Sequence, residues 1–273
     1  MKKQFSIIFL CLFLSNCSSF LLNKPTTIRI KGSDTMRILV QRWAEEYMKN
    51  RQDVSIYTEG GGSAIGIRAL INNEIDICAA SRPLRPEEAR LLAEKYSKLG
   101  MGTLVAKDAL SIFINPKNPV QDLSLQQLTQ IFTGEISNWQ QLGGNDEPIT
   151  VLIRSPNSGT FFYFKEYVLS GELYTTSAKS MPTTSAVVQT VFKNRNAIGY
   201  GGIAYGENVI HCKINGVAPG EENVINDTYP IIRYLYLYTV DTPRGNMKAF
   251  IDWVLNEGQK IVQDVGYIPL WID

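Results

Sequence analysis

Apolar positions along this chain keep switching between a helical and an extended period. Ile28–Lys31 reads as a short strand. Met36, Leu39, Val40, Trp43 and Tyr47 then recur at helical spacing and predict an amphipathic helix over roughly Thr35–Lys49. Val54–Tyr57 is strand-like, Ser63–Ile71 helical and Ile75–Ala80 strand-like again. Pro86–Lys98 predicts a charged helix with proline at its start. Gly102–Ile114 is extended until Asn115-Pro116-Lys117-Asn118-Pro119 breaks it, and Ser124–Phe132 and Trp139–Leu142 are helix-like. A second series follows: a strand at Ile149–Ile153, a helix from near Ser158 to Leu169, a helix over Thr183–Lys193 and a glycine-rich strand at Ala197–Gly202. A strand at Ile231–Tyr238 and helices at Lys248–Leu255 and Glu257–Val265 complete the pattern.

Alternating strands and helices imply an α/β fold, with a mostly parallel sheet covered by helices. Ligands of such sheets sit beyond the carboxyl ends of the strands. Three Gly/Ser/Thr-rich segments fall at those strand-to-helix junctions: Lys31-Gly32-Ser33-Asp34-Thr35, Gly60-Gly61-Gly62-Ser63 and Ser158-Gly159-Thr160. Two come early and one mid-chain, which suits two α/β lobes facing each other across a cleft. A helix N-terminus offers free backbone N–H groups and the positive end of the helix dipole, so each junction is suited to an anion.

Arg154 stands four residues before Ser158. A guanidinium pairs two oxygens of a tetrahedral anion, and the Ser158 and Thr160 hydroxyls with the Gly159 and Thr160 N–H groups suit the others. Alone, Arg154 would read as a surface ion pair; beside that helix start it reads as a ligand. Ser81-Arg82 closes a strand at the same expected edge, offering a hydroxyl and a second cation; the alternative for Arg82 is pairing with Glu87 or Glu88. Gly60–Gly66 matches neither a Walker A loop nor G-x-G-x-x-G, so its glycines speak for close backbone approach or a plain turn. Asp34 repels a bare anion but accepts a proton from hydrogen phosphate, which sulfate at neutral pH cannot give. An unpaired carboxylate would thus disfavour sulfate. Its other reading is a helix N-cap.

The N-terminus narrows the compartment. Lys2 and Lys3 precede an apolar run, Phe5–Leu14, too short to span a membrane, and Leu14-Ser15-Asn16-Cys17 resembles a lipoprotein cleavage box. Residues 1–16 are therefore expected to be a lipoprotein signal peptide, with Cys17 lipidated. Losing them moves the formal charge from +1 to −1. A chain so nearly neutral is not built to hold nucleic acid. An oxidising compartment permits a Cys78–Cys212 bridge. The single histidine, His211, and the lack of metal-type Cys/His spacing leave little for a hydrolase, which needs an activated nucleophile or a metal. No cofactor is called for.

Further segments share one pattern: Gly32-Ser33-Asp34-Thr35-Met36, Trp43-Ala44-Glu45-Glu46-Tyr47, Ala80-Ser81-Arg82-Pro83, Phe132-Thr133-Gly134-Glu135-Ile136-Ser137-Asn138-Trp139, Ala197-Ile198-Gly199-Tyr200 and Tyr229-Pro230-Ile231-Ile232-Arg233. With Gly60–Ser63 and Arg154/Ser158–Thr160, the chain from about Ile28 to Leu270 resembles the phosphate-binding proteins of bacterial phosphate ABC importers. The resemblance implies a two-lobed type II periplasmic-binding-protein fold, lobe 1 being residues 26–110 with 205–273 and lobe 2 residues 111–204. It implies hinge closure on inorganic phosphate by a monomer, followed by docking on permease subunits. The ligands it implies are Ser33, Asp34, Thr35, Ser63, Ser81, Arg82, Arg154, Ser158, Gly159 and Thr160. Ala64 and Ile65 depart from the usual glycine-rich run, removing any donor at 65. Arg82 stands where some members carry aspartate, so the proton-accepting role passes to Asp34 or is lost. Competing readings are a receptor for sulfate or molybdate, or a surface lipoprotein used in sensing or adhesion.

Overall fold

In β1 (Thr26–Gly32), Ile28 and Ile30 are buried while their neighbours face outward, the period of a strand with one face on a core. The computed structural model describes residues 25–271, so the expected signal peptide and Cys17 lie outside the described residues. Helix α1 (Arg37–Asn50) buries Leu39, Val40, Trp43 and Tyr47 along one stripe, as the spacing requires. β2 (Val54–Glu59), α2 (Ser63–Ile71), β3 (Ile77–Ala80) and α3 (Pro86–Tyr96) follow. The long β4 (Met101–Ile114) leads through β5 (Asp122–Leu123) and α4 (Leu125–Thr133) to a 3₁₀ turn at Trp139–Leu142. The second series is β6 (Thr150–Arg154), α5 (Gly159–Tyr167), β7 (Lys179–Met181), α6 (Thr184–Lys193) and β8 (Ala197–Gly202). Short β9 (Ile210–His211), β10 (Lys213–Ile214) and α7 (Glu221–Ile225) precede β11 (Ile232–Thr239), α8 (Gly245–Leu255) and α9 (Gly258–Val265).

Nine strands make one mixed sheet in the order β2-β1-β3-β11-β4-β8-β6-β7, with β9 on β4. β1 is parallel to β2 and β3, and β6 is parallel to β7 and β8. The expected parallel sheet thus holds within each half. At the junction β11 runs antiparallel to β3 and β4, and β4 antiparallel to β8. β4 belongs to both halves: its residues up to Ala109 pair with β11, and Leu110–Ile114 pair with β8.

Two main cores flank that junction. In the first, Trp43, Phe250, Val254 and Val262 pack against Ile28, Ile30 and Leu237. The Trp43 indole donates to the Gly258 carbonyl at 2.8 Å, which ties α1 to α9. In the second, Phe132, Phe164 and Tyr200 pack with Ile112 and Ile114, the Phe164 and Tyr200 rings stacked at 4.1 Å. Much of the stretch after residue 205 packs with the second half. Cys212, Ile214, Val224, Tyr229 and Ile231 bury in the second core, β9 pairs with β4, and β10 pairs with β5. From β11 onward the chain pairs with the strands of the first half. The connecting segment carries too short a pattern to reveal which core its few apolar residues would choose. Cys78 and Cys212 are both buried and free, in different cores, so the permitted disulfide is not formed.

Candidate anion-binding site

Four strands of the sheet deliver their following loops to one place. β1 ends at Ser33-Asp34-Thr35, β2 at Gly60–Ser63, β3 at Ser81-Arg82, and β6 at Arg154 with Ser158–Thr160 beyond it. Ser33, Thr35, Ser63, Ser81, Arg154, Ser158 and Thr160 are all buried. The hydroxyls touch one another: Ser33 Oγ donates to Ser81 Oγ at 3.0 Å, and the Ser63 and Ser81 hydroxyls are 3.4 Å apart. Across the cleft, the hydroxyls of Thr35 and Thr160 meet at 2.9 Å. Ser158 caps α5, its Oγ accepting from the Thr160 N–H at 3.2 Å.

Two glycines permit this closeness. A Cβ on Gly159 would lie 2.4 Å from Ser63 Oγ and 2.7 Å from Ser81 Oγ. A Cβ on Gly62, whose φ is +101°, would lie 2.4 Å from the Asn157 carbonyl oxygen of the other half. The Gly60–Ser63 loop therefore serves close approach, not a plain turn.

Arg154 is held on three sides. Its Nη1 donates to Thr184 Oγ1 at 2.7 Å, and its Nη2 to the Pro182 carbonyl at 3.1 Å and to Asp34 Oδ2 at 3.2 Å. Burial lowers its pKa against the pull of Asp34. Asp34 also accepts the Gly61 N–H on Oδ1 at 3.0 Å. The capping alternative for Asp34 is not what the structure has, since α1 starts without a side-chain cap.

Arg82 has partners of its own. Its Nη1 and Nη2 grip the two oxygens of Glu88 at 2.8 and 2.7 Å, and Nη1 also donates to the Pro83 carbonyl. Burial pushes the Glu88 carboxyl up, but hydrogen bonds from Arg82 and Arg85 and their charges outweigh it, and its pKa falls. A bidentate buried pair of this kind occupies both Nη groups of Arg82 and leaves only its Nε without a hydrogen-bond partner.

A family model described as the PBP superfamily domain matches residues 23–257. The phosphate-binding protein PstS of Pseudomonas aeruginosa is 33% identical over 263 residues, covering 88% of this chain and 81% of that protein. The chain belongs to the PBP superfamily, among its phosphate-binding proteins. PstS of Bacillus subtilis is 31% identical over 252 residues, covering 89% of this chain and 81% of its own. The crystal structure of a putative phosphate ABC transporter substrate-binding protein from Clostridium perfringens, with bound phosphate, superposes with a TM-score of 0.84. It is 32% identical and covers 90% of this chain and 100% of its own.

This PBP chain has a second buried cation at the cluster, one that sequence reasoning missed. Arg233 on β11 donates Nη1 to Thr160 Oγ1 at 3.0 Å and to the Ser81 carbonyl at 3.4 Å. Its Nε donates to Asp108 Oδ2 at 2.8 Å. Nη2 lies 2.7 Å from that same oxygen at an angle unsuited to a hydrogen bond. Asp108 also accepts the Ile203 N–H at 2.9 Å, and burial pushes its carboxyl up against the pull of Arg233. One signal was available: Arg233 falls in the buried phase of β11, with Leu235 and Leu237, where a lone charge needs a partner. The partner itself is 125 residues away.

Two buried donors of the cluster, Arg154 Nε and Arg233 Nη2, have no hydrogen-bond partner. Buried charged donors left unpaired cost more than the ~1–3 kcal/mol of a neutral one. A small oxyanion would supply the missing acceptors. His211 is elsewhere, its Nδ1 2.7 Å from Ser111 Oγ, with burial lowering its pKa. A groove of about 880 Å³ on the outer face of α1, α8 and α9, lined by Tyr47, Trp253 and Lys260, does not touch the cluster.

Proposed function

We propose that this chain is an extracytoplasmic lipoprotein that captures inorganic phosphate between its lobes and delivers it to an ABC importer. The observation that carries the reading is the pair of buried arginine donors without a hydrogen-bond partner, Arg154 Nε and Arg233 Nη2, inside a ring of hydroxyls drawn from both halves. The ligand set is Ser33, Thr35, Ser63, Ser81, Ser158, Gly159 and Thr160, with Arg154 and Arg233 as the cations. Asp34 accepts the proton of hydrogen phosphate on an oxygen lone pair left over by Gly61 and Arg154, and so disfavours sulfate. The lobes are residues 26–109 with 232–271, and residues 110–231, following the pairing switch in β4.

Contacts across the cleft support closure as the binding step. Thr35 meets Thr160, Arg154 meets Asp34, and the Ala64 N–H donates to the Asn157 carbonyl at 3.2 Å. Opening would be a hinge motion about β4 and β11. The leader sequence supports a lipid on Cys17 as the anchor, and no described helix is long and apolar enough to cross a membrane.

Calorimetry tests the reading. Protein starting at Ser18, freed of phosphate, is titrated with phosphate and then with sulfate. One-to-one phosphate binding with sulfate silent is the expected result. Equal binding of both would make this a general oxyanion receptor and remove the role given to Asp34. No heat from either would overturn the receptor reading.

A further inference from the structure

The ring of Phe162 stands on α5 of the second lobe, yet two arginines of the first lobe lie against its face. The Arg85 Cζ is 4.7 Å from the ring centroid and the Arg82 Cζ 5.5 Å. One carboxylate holds both cations in place. Glu88 takes the Arg82 fork on its two oxygens, the Arg85 N–H on Oε2 at 2.9 Å and Arg85 Nη2 on Oε1 at 3.4 Å. The Arg82 Nε is buried without a hydrogen-bond partner, which leaves the aromatic face as the further neighbour of that guanidinium.

From this geometry we infer that Phe162, Arg82, Arg85 and Glu88 form a closure latch, which sets how long phosphate is held and not whether it is recognised. The inference rests on the phosphate-receptor reading. The ring and the cations lie on opposite sides of the Ala109–Leu110 boundary in β4, so hinge opening pulls them apart. A contact made only in the closed state shifts the equilibrium towards closure by its own energy, and none of that energy is spent on the anion. Phosphate enters the open form, so the latch does not assist entry, and it slows escape. It also gives Arg82, next to the ligand serine Ser81, a positioning role that its pairing with Glu88 makes possible.

Phe162→Leu removes the aromatic face and keeps an apolar side chain; Arg85→Gln removes the more exposed cation without stranding Glu88, which keeps Arg82. Affinity is read by calorimetry. Dissociation is read from release of radiolabelled phosphate on dilution into unlabelled phosphate. Each variant is expected to release phosphate about 2- to 30-fold faster, the span from an exposed to a desolvated cation–π contact. The association rate does not fall, and the phosphate-to-sulfate preference stays as it was. The double variant is expected to be no worse than Phe162→Leu alone, because both remove the same contact. Small-angle scattering gives a readout independent of ligand: phosphate-free Phe162→Leu should have a larger radius of gyration. If the unaltered protein binds phosphate and Phe162→Leu releases it at the same rate, the latch is wrong and the receptor reading stands. If the unaltered protein does not bind phosphate, the receptor reading falls; equal radii of gyration would then refute the latch as well.

Discussion

Replacing Arg233 by glutamine separates two roles that one side chain fills. The single change strands Asp108, fully buried and left with only the Ile203 N–H. Breaking a buried ion pair from one side costs about 3–5 kcal/mol. For a chain of this size that lowers Tm by roughly 2–4 °C per kcal/mol. Binding weakens too, but a destabilised protein makes that loss ambiguous. The Asp108→Asn/Arg233→Gln double variant resolves it. Both charges leave together, so the net charge is unchanged, and asparagine still accepts the Ile203 N–H. Most of the stability should return. Affinity should not, because the donor that reaches Thr160 Oγ1 is gone. A hydrogen bond from a charged group contributes about 1.5–3 kcal/mol, or roughly 10- to 150-fold in Kd. Thermal unfolding without phosphate and calorimetry with it measure the two quantities. A double variant that binds phosphate like the unaltered protein would refute the ligand role of Arg233 and leave it a structural partner of Asp108.

Four further outcomes are expected. Arg154→Ala should abolish tight phosphate binding, by more than about 100-fold, since at least two charge-assisted hydrogen bonds go with it; near-normal affinity would remove Arg154 from the site. Asp34→Asn should weaken phosphate more than sulfate, and equal losses by calorimetry would mean that Asp34 merely orients Arg154. Glu88 has a depressed folded pKa, so its stabilisation is present above the ordinary value of 4.5 and is lost as pH falls through the folded value. The Tm of the unaltered protein should therefore drop more steeply below pH 4.5 than that of Glu88→Gln, and parallel curves would contradict this. Burial pushes the Cys78 and Cys212 thiols up, Cys212 to about 12, so neither should react with a thiol reagent at pH 8 until the protein unfolds; rapid labelling of the native protein would show otherwise.

Most elements were legible because their signals are local. The stripe from Met36 to Tyr47 declares a helix, and Ala197–Gly202 a strand, wherever they are placed. The strand-to-helix loops could be named as anion sites for the same reason: Ser33, Ser63 and Ser158–Thr160 each sit at a junction visible within a few residues. The fate of 209–231 was not legible, because its few apolar residues suit either core and only packing chooses between them.

The sequence by itself determined the alternation of elements, the four loops at the sheet edge, and the candidacy of every hydroxyl and of Arg154. Tertiary structure alone decided what each charge does. Arg82 and Arg233 both sit at or near strand ends, and the nearby Glu88 offered Arg82 a partner without deciding its role. Folding brings Glu88 onto both arms of the first, and sets Asp108 behind the second so that its Nη1 faces Thr160. Local patterns follow from the period of a backbone, which a sequence carries. The direction of a buried charge follows from where its counter-charge arrives, and contacts made across more than a hundred residues leave no period to read.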